Sequence, residues 1–528
     1  MARWSLVAAL VHGLWRLAVS YGYLPWSNLL ITIAIAYFLV ITYDRLIYPF
    51  IDPLRKLPVA HISDLRVILT VTDAPRGETA LRWAIEFQDH DMIRIRYNHN
   101  DTVMLLSPTA LRDLLSTNEQ DFVKPTGGRN FLVRILGSGL LLSEGLVHAR
   151  QKKQLNTSFR VQNVRALHDL MLLKTGILLK NMEKQIHQAP EHGVDINDWA
   201  SKVTLDIIGA ALMSKDYDSL NKEHQPVNEA FGALTRASPG MTQLFMLNLV
   251  LPQWLVCALP TATNATVKKH VRTVRESCEA SLAELKNQMK EGTHDGSDIL
   301  TSIVADPDAS HTEVIDQMIT FLGAGHETTA ASIAWVTHLL TLPENEHYQD
   351  RLREELRAHP DCTASPTAVE ALPWLNAICE ETLRIFPPVT NTARKAIRDT
   401  TIANTRIRRG QMIAVFPWAI NRNPKYWGGK DAAKFIPERW LDERPDGTLH
   451  INNHGGAASN YCNLTFLQGN RSCIGKGFAK AELRLVVAKM FGDFRVARLP
   501  GDNGKVNPVG SVTIKPEGGL FVTLTRVD

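Results

Sequence analysis

The spacing of hydrophobic positions changes several times along this chain, and each change predicts an element. From Leu17 to Tyr43 no residue is charged, and Pro25 divides the run. Its second part, Trp26 to Tyr43, covers eighteen residues. As a helix these reach about 27 Å, against roughly 30 Å of bilayer hydrocarbon. Tyr21, Tyr23 and Trp26 at one end, and Tyr43 and Tyr48 at the other, suit the two interfaces. The run is too long for a cleaved leader and no small-residue cleavage site follows, so a retained anchor over residues 1–48 is expected. Pro49, Pro53 and Pro58 bracket Leu54-Arg55-Lys56-Leu57 and predict a stiff hinge over 49–60. The remainder, 61–528, is expected to form one domain.

Within that domain, residues 80–106 predict a helix and then strands, because Ile93 to Tyr97 alternates and Val103 to Leu106 is a continuous apolar run. Residues 160–292 carry the helical period, with a strong core segment at Trp199 to Gly209. Met241 to Leu259 is unusually apolar. The longest helix runs from a capping box at Ser310 and Glu313 to Leu342, where Pro343 stops it. Its 33 residues would span roughly 50 Å. A shorter helix, Leu375 to Ile385, is apolar on most sides and ends at Pro387-Pro388. The last, Lys476 to Phe494, repeats Ala479, Leu483, Val486, Val487 and Met490 at helical spacing. The whole is mainly α with small β-sheets.

Composition narrows the class. A chain of 528 residues can bury a large core. The net charge of +4 is too small to argue for nucleic acid. Six cysteines lie scattered, with no CxxC, as in a reducing compartment.

One of those cysteines changes the picture. Cys473 sits in a loop punctuated by Gly469 and Gly475, just ahead of the last helix. Free N–H groups and the positive dipole end there favour a thiolate. The two glycines leave room for backbone or a flat ligand, and Arg471 offers a donor fork for a carboxylate. These features describe a haem-thiolate site. A single buried cysteine is otherwise a small hydrophobe. A phosphate loop fails on spacing, and Gly477 stands where Ser or Thr should hold magnesium.

The run from Phe466 to Gly475, Phe-x-x-Gly-x-Arg-x-Cys-x-Gly, resembles the signature of the cytochrome P-450 family and fixes five positions in ten. Further motifs follow in the expected order. Ala324-Gly325-His326-Glu327-Thr328-Thr329, in the middle of the longest helix, resembles the family's oxygen-activating motif. Ala324 and Thr328 share a helix face, and His326 points away as a packing or supporting residue. Glu381-Thr382-Leu383-Arg384 resembles the Glu-x-x-Arg motif, with Arg439 of Pro437-Glu438-Arg439-Trp440 as its partner. These three are assigned structure, not chemistry.

The resemblance implies a cytochrome P-450 fold, with haem b bound through its iron to Cys473 and held by Phe466, Gly469 and Gly475. Arg471, Arg394, His148 and Lys152 would meet the haem propionates; His148 and Lys152 stand where the family often has Trp and Arg. Glu327 and Thr328 would relay protons. Phe131, Phe321, Ala324, Val389, Thr390 and Val512 are expected to line the substrate pocket. The stretch 241–259 would be a loop over the channel that touches the membrane.

The implied activity is a monooxygenase acting on a lipophilic small molecule. Its electrons would come from NADPH through a separate flavoprotein reductase. Lys476, Lys480, Arg484 and Lys489 form one basic helix face suited to such a partner or simply to solvent. The motif wording resembles filamentous-fungal members, which points to polyketide or terpenoid tailoring, with fatty-acid hydroxylation as the alternative. A haem-thiolate isomerase and a non-catalytic haem protein are the other classes. Both are disfavoured by the Glu327-Thr328 pair. The expected location is the endoplasmic reticulum membrane, with the catalytic domain in the cytosol.

Overall fold

The computed structural model describes residues 52–60, 77–97, 100–236, 238–293 and 299–527, together with Ile35, Phe38, Leu39 and Thr42. The anchor expected over 1–48 therefore lies almost wholly outside the described residues. Among the described residues no helix is long and apolar enough to cross a membrane.

The architecture is mainly helical with small sheets. A mixed six-stranded sheet runs Val59–Ala60, Met92–Tyr97, Asn100–Leu105, Met412–Val415, Thr392–Ala396, Phe122–Val123. Its register places Met92 opposite Leu105, Thr102 beside Met412 and Thr392 opposite Val415. The outermost strand, Val59–Ala60, belongs to the expected hinge. Leu54 is buried in the core and Asp52 pairs with Arg94, so residues 52–60 are built into the domain rather than left as a linker.

Six helices frame the site: α1 (Thr126–Leu136), α2 (Gly145–Ser158), α3 (Ile196–Met213), α4 (His311–Leu340), α5 (Pro373–Ile385) and α6 (Lys476–Asp493). The central one is α4, which buries most of its residues. Ser310 caps it by accepting from Glu313 N at 3.2 Å. The reciprocal half of the box is missing, because the Glu313 carboxylate receives Arg150 and Gln151 instead. The helix stops at Leu340, two residues short of expectation. Pro343 drives Leu342 into extended geometry, with ψ 137°.

The apolar stretch 241–259 is two helices rather than a loop: Pro239–Val250 and Gln253–Ala258. Ser238 caps the first and Pro239 opens it, while Pro252 separates the two. Val250 and Trp254 remain exposed at 77% and 72%.

Candidate functional site

The loop before α6 turns sharply, and two contacts give it its shape. Gly469 is left-handed (φ +73°), and a Cβ there would lie 1.9 Å from the Leu115 carbonyl oxygen. Cys473 N donates to Phe466 O at 2.8 Å, which closes the turn. Gly475 N–H reaches the Cys473 sulfur. Enclosure by the protein pushes the thiol upward, while this N–H, Lys476 and Lys152 act in the opposite sense. A metal at the sulfur would deprotonate it outright. Cys462, the nearest other cysteine in sequence, is buried among Trp427 and Trp440. Burial pushes its thiol up to about 11.

Cys473 faces a cavity of about 350 Å³. α4 lines it through Phe321, Ala324, Gly325, Glu327 and Thr328. Val389, Val512, Phe466 and Gly475 line it as well. Two expected pocket residues are elsewhere. Phe131 meets Phe245 edge-on with centroids 5.4 Å apart. Thr390 is buried, and its carbonyl accepts from Trp418 N at 3.4 Å. Gly325 serves a purpose other than ligand approach alone: a Cβ there would meet Ile208 of α3 at 2.8 Å. Its absence lets α3 pack against α4.

The cavity lining also holds a cluster of Lys124, His148, Lys152, Arg394 and Arg471, which act on one another electrostatically. They come from the loop before α1, from α2, from the sheet and from the cysteine loop. Burial pushes Lys124 down to about 7, and Arg394 adds to this. Burial and then Arg471 push His148 down to about 4. Arg394 is likewise lowered by burial and by Arg471. Arg471 donates to Ser143 O at 2.9 Å and pairs with Glu144, which also accepts from Lys124 N at 2.8 Å. Lys152 donates to Asn470 O. Cationic forms disfavoured by one another and by burial describe a site short of negative charge. A thiol, apolar side chains and such a cationic cluster in the lining of one cavity fit a flat iron-bearing group carrying two carboxylates. Lys124 and Glu144 gave no signal in the sequence beyond their charge.

On α4, Thr328 Oγ1 donates to Ala324 O at 2.9 Å. Glu327 is 3% exposed, with Oε2 2.9 Å from Lys515 Nζ. Thr513 Oγ1 donates to the same oxygen at 3.4 Å. His326 is fully buried, bonds Leu322 O through Nδ1 at 2.9 Å and packs on Phe231. Its Nε2 stands 3.3 Å from Glu327 Oε1, yet neither atom completes a hydrogen bond among the described residues. Despite burial, Lys515 and His326 hold the Glu327 carboxyl below the usual carboxylate range.

Glu381, Arg384 and Arg439 come together outside the cavity lining. Arg384 grips Glu381 through Nε and Nη2 at 2.8 and 2.7 Å, and Arg439 Nε adds a third contact at 3.2 Å. The expected basic face of α6 is largely occupied. Lys480 and Arg484 both reach Glu380 of α5, and Lys489 pairs with Asp493. Lys480 and Arg484 are thus drawn toward α5, while Lys476 stays exposed.

A family model described as Cytochrome P450 matches residues 85–523. Among curated proteins, the chain is 33% identical over 506 residues to the cytochrome P450 monooxygenase sphH of Aspergillus fumigatus, covering 92% of this chain and 91% of that one. It is 32% identical over 494 residues to the cytochrome P450 monooxygenase ptmK of Penicillium ochrochloron, covering 91% and 96%.

Proposed function

The chain belongs to the cytochrome P450 family and is a haem-thiolate monooxygenase, and from that premise we propose how its own residues divide the work. Haem supplies the binding and reductive activation of dioxygen when bound. Cys473 would hold it through its sulfur. Arg471, Arg394, His148 and Lys152, with Lys124, would meet its carboxylates. Phe466, Gly469 and Gly475 would shape the loop around it. The apolar wall of Phe321, Ala324, Val389 and Val512 orients a lipophilic substrate and keeps bulk water out. Thr328 and Glu327 carry protons to the oxygen side, Glu327 being the acid of the cavity lining and Thr328 the hydroxyl next to it in the chain.

Electrons come from a reductase, as is general for the family, and we assign that role to an NADPH-dependent flavoprotein. The uncharged run 17–43 supports a membrane anchor with the catalytic domain on the cytosolic side of the endoplasmic reticulum. Fungal relatives and the apolar cavity support a role in tailoring a secondary metabolite such as a polyketide or terpenoid. The observation that supports the site assignment is that Cys473, Glu327 and Thr328 line one cavity together with Lys124, His148, Lys152, Arg394 and Arg471. The test is the carbon monoxide difference spectrum of the reduced enzyme. Cys473→Ala is expected to lose the thiolate-type band and Cys462→Ala to keep it; the reverse pattern contradicts the assignment.

A further inference from the structure

Glu327 is gripped from outside its own helix, and the turn that grips it also forms part of the cavity wall. The turn 511–516 is pinned at several points. Ser511 donates to Thr235 O through N at 3.3 Å and Oγ at 2.7 Å. Ile514 N donates to Pro388 O at 2.9 Å, and Ile514 O accepts from Trp335 Nε1 of α4 at 2.9 Å. Lys515–Pro516 pairs with Pro508–Val509. The backbone of Lys515 is therefore held in place, and its ammonium reaches Glu327 Oε2 at 2.9 Å. Val512 and Thr513, on the same turn, line the cavity. The Lys515 side chain is 22% exposed while Glu327 is 3% exposed, so of this ion pair Lys515 is the solvent end.

We propose that Lys515 is a positioning residue for Glu327, holding its carboxylate against the cavity-lining turn and linking it to solvent. The inference rests on the proton-relay reading of Glu327 and Thr328. The step balances without electron transfer. The Lys515 ammonium passes one proton to Glu327 Oε2, leaving an amine and a carboxylic acid. Solvent reprotonates the amine. The acid releases its proton to a hydroxyl or water in the cavity and returns to carboxylate.

The groups facing this pair are few. His326 adjoins Glu327 on α4, and Thr513 faces it from the turn. Asp195, which caps α3, acts on Lys515 electrostatically. Glu482 of α6 interacts with Thr329, two residues further along α4. With Lys515 removed, burial is the largest remaining influence on Glu327 and acts upward.

The test uses the holoenzyme with wild type, Lys515→Met and Lys515→Arg. Infrared difference spectra across pH read the carboxylic-acid C=O stretch, with Glu327→Gln in each background as the blank. Lys515→Met is expected to show a Glu327 acid band titrating between about pH 5 and 9, the range that buried glutamates reach. Wild type and Lys515→Arg are expected to show none. In the same preparations, product formed per NADPH is expected to fall about tenfold in Lys515→Met and to recover in Lys515→Arg, on the scale of one positioned proton carrier. A Lys515→Met enzyme with neither the band nor the fall overturns the proposal. If Lys515→Met does not retain haem, Lys515→Gln carries the same comparison. Thr328→Ala separates the two ideas. An unchanged ratio there defeats the relay reading itself, whereas a lowered ratio beside an unaltered Lys515→Met defeats only the role of Lys515.

Discussion

Two buried glutamates, each beside a cation, have opposite surroundings. Glu381 takes five donors on its two oxygens: Arg384 Nε and Nη2, Arg439 Nε, Trp440 Nε1 and Ile436 N. Both Glu381 and Arg384 are fully buried. Arg384 spends its remaining donors on the carbonyls of Asn421, Ala432 and Lys434. Glu327 takes Lys515 and Thr513 on one oxygen and leaves the other without a hydrogen bond among the described residues. A closed network has nothing left to exchange and serves to hold the chain. An open one, wired to a half-buried lysine, can gain and lose a proton.

The largest effect expected from breaking this contrast is at Glu381. Glu381→Gln leaves Arg384 as an uncompensated buried charge, which costs about 3–5 kcal/mol. Urea denaturation of the holoenzyme should show a lower midpoint, with early loss of haem absorbance. A midpoint equal to wild type would mean that the network is redundant.

Thr328→Ala comes next. It removes a hydroxyl bonded to Ala324 O while sparing the haem contacts. Product per NADPH is expected to fall roughly 10- to 100-fold, with peroxide accumulating, the low end of what one positioned proton donor contributes. Thr328→Val should behave alike. A ratio that stays level in both would reduce Thr328 to a helix-packing residue.

A smaller effect sharpens the rule from a third buried acid. Glu482 of α6 is 1% exposed, neither of its oxygens completes a hydrogen bond among the described residues, and burial pushes it well above its ordinary value, against a smaller opposing influence of Thr329. Its folded form binds a proton that the unfolded form releases. Its contribution to stability is therefore complete below the unfolded value and is lost as pH rises through the folded one. Glu482→Gln should match wild type near pH 4 and exceed it by about 1 kcal/mol at pH 8, the scale of one unpaired buried polar group. Thermal melts at the two pH values check this. A constant difference would show that Glu482 titrates alike in the folded and unfolded chain.

Much of this contrast was legible before any coordinates. Glu381, Arg384 and Arg439 belong to short motifs, and the cysteine loop carries its own glycines and arginine. The ends of α4 were legible to within two residues because caps and prolines act locally. What could not be read are contacts made between distant segments. Lys515 meets Glu327 because a pinned turn brings it there, and no local spacing encodes that meeting. Phe131 was expected in the pocket and turns instead to Phe245, a choice set by the helix Pro239–Val250 packing on α1. The basic residues of α6 show the same limit: their spacing marks one helix face, but Glu380 on α5 decides that Lys480 and Arg484 are drawn toward it.

The most direct measurement of the central claim is product formed per NADPH oxidised by Glu327→Gln holoenzyme, with its melting temperature recorded in the same preparation. The account predicts a ratio lowered at least about tenfold, an intact thiolate-type carbon monoxide band and a melting temperature close to wild type. An unchanged ratio with a melting temperature depressed as in Glu381→Gln would contradict it, making Glu327 one more structural ion pair.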